Sequence, residues 1–415
     1  MRIEVAGSSR LELFPLRAKK EADQYIVGRP EIRSYVAMSG AGYAVVEMLG
    51  ANRTIAEVKE ALTTRFGGEA VQLRPFLEAL VAAGFVKSID ARAVPEGPRH
   101  QRYHLTGWKR RHVAWLFSAP ALVVCSGLVA AALGIVMLEP RYVPRPADFF
   151  VAPTYLATVM LATVVSVLMV AKHELAHLAA AKFVGIEARF GLSHRMYFPV
   201  VQTELTDLWL ADKGRRYLVY VAGMASDVVA ACAVVVLMWL HDRGAFALPD
   251  LAYRTCKLAV VIAAAGVLWQ FNVFLRTDVY YVFANFFDCK NLASDAQAYL
   301  KSRLRKLLGG GGVVAPQGVS GREFRAIRIY SVLYVLGTVT LVAMGTGYLL
   351  GVIFLVLSDW TSGVLASQWG VFRRSDKIAF VASVAVTCGW LAYSVIAKRR
   401  RRSRVDRAVV SVADV

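Results

Sequence analysis

The sequence predicts an α-helical polytopic membrane protein of about six spans, with a small N-terminal α+β winged-helix domain. Three observations carry this. First, of 415 residues 57% are hydrophobic and only 19% charged, with a mean hydropathy of +0.47, whereas a soluble globular chain is nearer a quarter charged. Second, the apolar excess is gathered in uninterrupted blocks of membrane-spanning length. Third, no such block occurs before Lys109-Arg110-Arg111-His112, and the stretch ahead of it shows short strands and capped amphipathic helices instead. Secreted mini-protein, coiled coil and disordered tail are all excluded. The net charge of +19 is not a nucleic-acid face: residues 1–111 hold 18 Lys and Arg against 12 Asp and Glu, and the remaining +13 flanks the apolar blocks. The five cysteines (Cys125, Cys232, Cys256, Cys289 and Cys388) are odd in number and scattered, without ligand spacing or a disulfide framework.

In chain order, residues 1–95 form the N-terminal domain. No apolar stretch opens the chain, so no cleavable signal peptide is expected. Strand-like runs at Leu11–Leu16, Tyr25–Val27 and Tyr35–Met38 come first. Ser39 is a plausible cap for a helix that stops at Leu49-Gly50. Thr54-Ile55-Ala56-Glu57 is a capping box, in which hydroxyl and carboxylate satisfy each other's free backbone amides. Ile55, Val58, Leu62 and Phe66 continue that helix. A third helix carries Leu73, Phe76, Leu77, Leu80 and Val81 on one face and ends at Gly84, and Phe85-Val86 reads as a closing strand.

A basic linker, 96–112, leads into the membrane domain, 113–397. Six spans are expected at about 113–137, 154–181, 217–240, 258–276, 329–357 and 378–397. With the N-terminus inside, the inner segments 99–111, 186–216, 276–328 and 398–415 hold 26 Lys and Arg, and the outer loops hold 7. The positive-inside rule therefore places both termini in the cytoplasm of a multi-pass cell-membrane protein. The tail, 398–415, opens on Lys398-Arg399-Arg400-Arg401-Arg402. In the loop after the fourth span, Leu300, Leu304 and Leu307 share a helix face beside Lys301, Arg303, Arg305 and Lys306. That pattern suits a helix lying on anionic lipid, or a solvated basic helix. Gly309 to Gly312 follow as a flexible joint.

The chemistry is concentrated in Lys172-His173-Glu174-Leu175-Ala176-His177. Residues four apart share a helix face, so both imidazoles of His-Glu-x-x-His can reach one zinc ion. Glu174 is then placed to take a proton from water at the metal. Chance gives the pattern in roughly 0.4% of shuffled chains of this composition. It follows eighteen uncharged residues, Thr154 to Ala171, and ionisable groups inside a span are costly enough to be functional by default. From Thr154, His173 lies about 28 Å along the helix, toward the cytoplasmic face. Two histidines leave zinc short of a third protein ligand. Asp278, at the inner end of the fourth span, is at the same depth, although it could instead pair with Arg276. His194 and Glu204 in a loop, and Asp227 in the third span, are the other candidates.

These residues resemble the site-2 protease family of intramembrane zinc metalloproteases. The second motif of that family is similar to Asn-Pro-x-Pro-x-Leu-Asp-Gly. Asn272 and Asp278 keep its spacing, while Val273 and Val279 stand where it has Pro and Gly. The resemblance implies Asp278 as the third zinc ligand and a catalytic role for Asn272 at the oxyanion. Ala222-Gly223-Met224 resembles the family's Ala-Gly-Pro motif without its proline. The likeness covers about residues 110–300.

Residues 1–95 resemble the PqqD-like fold, which recognises leader peptides for enzymes that mature ribosomally made peptides. The carrying features are the strand order, Met48-Leu49-Gly50-Ala51-Asn52-Arg53-Thr54, and Leu80 to Val86. A DNA-binding winged helix fits less well, because only +6 is spread over 111 residues with no basic recognition helix. The pairing of the two parts is similar to the membrane proteases of daptide-type peptide clusters. The expected function is an intramembrane zinc endopeptidase that recognises a precursor peptide and removes its leader, with membrane lipids as its surroundings and no nucleic-acid partner. The alternatives are a regulatory protease that releases a membrane-tethered factor, and a non-catalytic peptide-presenting scaffold or exporter.

Overall fold

Short capped helices packed on small antiparallel sheets build the first part of the chain. In the computed structural model the described residues are 6–21, 24–32, 34–66, 72–94, 107–152, 154–195, 198–204, 208, 210–289, 291–309 and 321–362, with isolated positions from 382 to 393. They fall into two compact units. One gathers residues 1–110 with 181–189 and 204–216, and the other takes the remainder.

In the first unit, β1 (Leu11–Leu13), β2 (Arg17–Glu21), β3 (Gln24–Arg29) and β4 (Ser34–Ser39) precede α1 (Gly40–Gly50), α2 (Ile55–Phe66) and α3 (Leu73–Ala82), followed by β5 (Val86–Ile89) and β6 (Arg92–Ala93). The strands make two antiparallel sheets, ordered β2-β3-β4 and β1-β5-β6. Gly28 pairs with Tyr35 across the first sheet, and a Cβ there would lie 2.1 Å from the Tyr35 ring. Both expected caps form. The Ser39 hydroxyl accepts from the Gly42 amide at 3.2 Å. Thr54 N–H donates to the Glu57 carboxylate at 2.8 Å, and Glu57 N–H to the Thr54 hydroxyl at 3.3 Å. The Thr54 amide accordingly holds the Glu57 carboxyl below its usual range. Leu11, Val27, Val45, Leu49, Val58, Leu77, Leu80 and Phe85 close the core.

Strand β2 went unanticipated because it reads Arg-Ala-Lys-Lys-Glu, with almost nothing to bury. Charged edge strands of this kind resist unwanted pairing, and two of these charges have partners in the same unit. Arg216, 1% exposed, donates to both Glu21 oxygens at 2.9 and 2.7 Å and to the Ala211 carbonyl at 3.1 Å. Lys19 pairs with Asp212 at 2.9 Å and lowers that carboxyl's proton affinity. Removing Glu21 would take the carboxylate partner from a buried guanidinium, a loss of about 3–5 kcal/mol.

The second unit begins after Arg110, the first residue of the one-turn α4 (Arg110–Val113). Then come α5 (Ala119–Leu138), α6 (Tyr155–Phe183), the two-stranded β7 (Arg189–Arg195) and β8 (Phe198–Glu204), α7 (Lys213–Asp242), α8 (Asp250–Trp269), α9 (Asp278–Phe286), α10 (Leu292–Leu307) and α11 (Gly321–Ser362). The terminal turns of α6 and α7 belong to the first unit. Among the described residues five helices, α5 to α8 and residues 321–347 of α11, are long and apolar enough to cross a membrane. The sixth expected span, 378–397, lies almost wholly outside the described residues. Exposed Leu122, Val123, Val124, Met137 and Leu138 on α5 suit a lipid surround.

Span ends shift for local reasons. Ser118 caps α5 with Pro120 in its first turn, so the first span starts at Ala119 instead of 113. The expected span 258–276 is corrected more substantially, because α8 runs from Asp250 and stops at Trp269. A 3-10 turn, Val273–Leu275, follows, and Arg276 takes a left-handed backbone (φ 56), uncommon for a residue with a side chain. That break lets α9 start afresh at Asp278.

Candidate metal centre

His173 and His177 project from one face of α6, with ring centroids 4.8 Å apart. Asp278 arrives as the first residue of α9, more than a hundred positions later. Its Oδ2 lies 3.0 Å from His173 Nε2 and 3.1 Å from His177 Nε2, and the two nitrogens are 3.1 Å from each other. All three side chains are buried. Asp278 thus turns to the histidines instead of pairing with Arg276.

The outer partners fix what this triangle presents. His177 Nδ1 lies 2.7 Å from the Val219 carbonyl, which only accepts, so that nitrogen carries the proton. His173 Nδ1 lies 2.7 Å from Asp227 Oδ2, and Asp227 Oδ1 takes a 2.6 Å bond from Lys172, which also reaches Ser226 at 3.0 Å. An ionised Asp227, held by the lysine, makes His173 Nδ1 a donor too. Both Nε2 atoms then aim lone pairs at one point beside a carboxylate oxygen. Three electron-rich atoms this close repel one another unless a proton or cation sits among them. Metal–ligand bonds of about 2.0–2.1 Å at tetrahedral angles separate neighbouring donors by roughly 3.3 Å, close to the spacing here. The residues fit a divalent metal. They are also the one group of three such ligands among the described residues.

Gly223, on α7, makes room for the site. A Cβ there would stand 2.4 Å from His173 Nε2 and 2.5 Å from His177 Nε2, in the space that the ligand atoms share. Asp278 is steadied by Gln270, whose side-chain oxygen accepts the Asp278 amide at 3.1 Å. Thr277 ties the same turn by donating to the Gln270 carbonyl at 2.5 Å.

Glu174 is buried beside the ligands. Its Oε2 accepts from the Thr203 amide at 2.5 Å. The Thr203 hydroxyl lies 2.8 Å from that oxygen and 3.0 Å from the Glu174 carbonyl, and gives its single proton to the carboxylate, the nearer and stronger acceptor. The end of β8 therefore holds the carboxylate in place.

The other sequence candidates have separate fates. Asp227 stands behind His173 as its orienting carboxylate and does not join the ligand triangle. Asn272 donates its side-chain amide to the Trp269 carbonyl at 3.0 Å, closing the end of α8. His194 and Glu204 are on β7 and β8, and their side chains lie outside the described residues. Thr203, Gln270 and Val219 went unrecognised. Lys172 carried a usable signal, since a lysine among apolar residues of a span demands a buried acidic partner, and Asp227 is the acidic residue inside the third span.

Asp278→Ala should reduce bound metal at least tenfold, in line with the loss of a ligand from a three-ligand site. Arg276→Ala should leave metal content unchanged. Elemental analysis of the purified proteins measures both, and full occupancy in Asp278→Ala would move the third ligand elsewhere. No protein-family model, curated protein or solved structure matches this chain.

Proposed function

We propose that this chain is an intramembrane zinc endopeptidase that takes a ribosomally made precursor peptide and cuts its leader at the membrane. The observation that carries the proposal is the buried triangle of His173, His177 and Asp278 with Glu174 on the next position of the same helix. A zinc ion held by the three would supply Lewis acidity for attack on a peptide carbonyl. The residues of the chain do the rest. Glu174 takes a proton from the attacking water and delivers it to the leaving amine. Thr203 aims that carboxylate, and Asp227 and Val219 lock the two imidazoles in the ligating tautomer. Asn272 is the candidate for a further oxyanion contact once its bond to Trp269 is released. The peptide must be extended at the cut, because a helical amide is screened by its own turn. Basic segments on the inner side put both termini in the cytoplasm.

The N-terminal domain supports recognition of a leader. Strand β4 is the outer member of its sheet opposite the charged β2, and an edge strand can pair with an extended peptide through its backbone. Tethering by the leader would raise the local concentration of the attached peptide to roughly millimolar.

The test uses the full chain in detergent with a leader-bearing precursor and its leaderless counterpart. Chelation should abolish cleavage of both, and added zinc should restore it. Excess free leader should raise the apparent KM for the precursor alone. Equal efficiency on both peptides, with no inhibition by the leader, would reject leader recognition. Cleavage that survives chelation would reject the metalloprotease.

A further inference from the structure

Helices α10 and α11 enclose an apolar groove of about 800 Å3, lined among others by Tyr299, Leu300, Arg325, Arg328, Val332 and Leu336. Its back wall is firm. Tyr299, Ala326, Ile327 and Tyr330 are buried against Tyr280, Leu292 and Ala296 in one cluster. The open side is apolar, with Val332 58% and Leu336 59% exposed. Water is a poor occupant for such a wall.

Charge marks one end. Arg325 and Arg328 are exposed and three residues apart on α11, so they share a face. Among the described residues neither has an acidic partner. The Arg303 guanidinium bonds the hydroxyl of Tyr299, a lining residue, at 3.0 Å. Nearby on α10, Leu304 is 57% and Leu307 83% exposed, as expected of a helix whose apolar face meets lipid.

Length agrees with charge. From Arg325 to Leu336 the helix rises about 16 Å, close to the roughly 15 Å depth of one leaflet's hydrocarbon. Cations at the headgroup level and an apolar trough one leaflet deep describe the two ends of a single lipid molecule.

We propose that this groove is a binding site for one anionic glycerophospholipid of the inner leaflet. Its phosphate would sit between Arg325 and Arg328, with an acyl chain along Val332 and Leu336. Guanidinium pairs suit phosphate oxygens. A zwitterionic lipid would bring its own cation to the same two arginines and lose most of that attraction. The site is independent of the metal centre and of any peptide chemistry.

The experiment is native mass spectrometry of the full chain, reconstituted with equimolar dioleoyl phosphatidylglycerol and dioleoyl phosphatidylcholine and released from detergent. One phosphatidylglycerol per chain should be retained, with a preference of about thirtyfold over phosphatidylcholine, as two juxtamembrane cations provide. Arg325→Gln/Arg328→Gln should bring that preference close to one. Arg305→Gln/Lys306→Gln removes the same charge from outside the lining and should keep it. Val332→Phe, which narrows the trough, should lower retention of both lipids. An equal loss in the two charge variants would mean diffuse attraction to the surface and overturn the site. Displacement of the lipid by millimolar glycerol phosphate would do the same, by showing a free-phosphate pocket.

Discussion

Glu174→Gln is expected to keep its fold and its metal while losing peptide cleavage by a factor of about 10²–10⁴, the usual contribution of a positioned general base. The substitution is nearly isosteric. A glutamine oxygen can accept the same two donors from Thr203 that now converge on Oε2, so the side chain stays where it is. What disappears is the capacity to take up a proton. Thr203→Val should act on the same step with a smaller effect. It removes one hydroxyl bond to a charged group, worth about 1.5 kcal/mol, or roughly tenfold in kcat, with KM unchanged and Thr203→Ser near wild type. Turnover of a peptide in detergent, with metal content measured in parallel, separates chemistry from binding. Cleavage by Glu174→Gln within tenfold of wild type would remove Glu174 from the mechanism.

Local periodicity made much of this molecule readable. The capping box at Thr54, the cap at Ser39 and the core faces of α1 to α3 follow from spacings of three and four residues. His173, Glu174 and His177 were legible because four residues make about one helical turn. Asp278 was reachable by a coarser route, a depth count along two spans. Other features depended on partners far away in sequence. Strand β2 shows almost no apolar alternation, and its charges make sense only beside Asp212 and Arg216. Thr203 meets Glu174 across 29 positions, and Asp227 meets His173 across 54. The end of α8 was misplaced because Gln270 to Leu275 is apolar enough to continue a span. Only the left-handed Arg276 and the fresh start at Asp278 reveal a break that aims the third ligand.

Gly223→Ala should be as damaging as loss of a ligand, although glycine coordinates nothing. The added carbon would lie 2.4 Å from His173 Nε2 and 2.5 Å from His177 Nε2, well inside van der Waals contact. Something must move. The carbon is fixed to the backbone of α7, and the rings have little freedom. His173 is held by Asp227 at 2.7 Å and His177 by the Val219 carbonyl at 2.7 Å, and Val219 and Asp227 are themselves on α7. Overpacking of this kind costs about 1–3 kcal/mol. The cheapest relief is to swing the imidazoles off their outer partners, which also undoes the tautomers that point both lone pairs inward. Metal content should therefore fall at least tenfold, and cleavage with it, in a protein that still folds. Gly214→Ala is the control. It lies on the same helix with open space around it, and should change neither metal content nor activity. Elemental analysis and turnover of the two variants side by side decide the matter. If Gly223→Ala binds metal fully and cuts at the wild-type rate, α7 cannot approach α6 this closely, and the orienting roles of Asp227 and Val219, which depend on the same approach, would fall together.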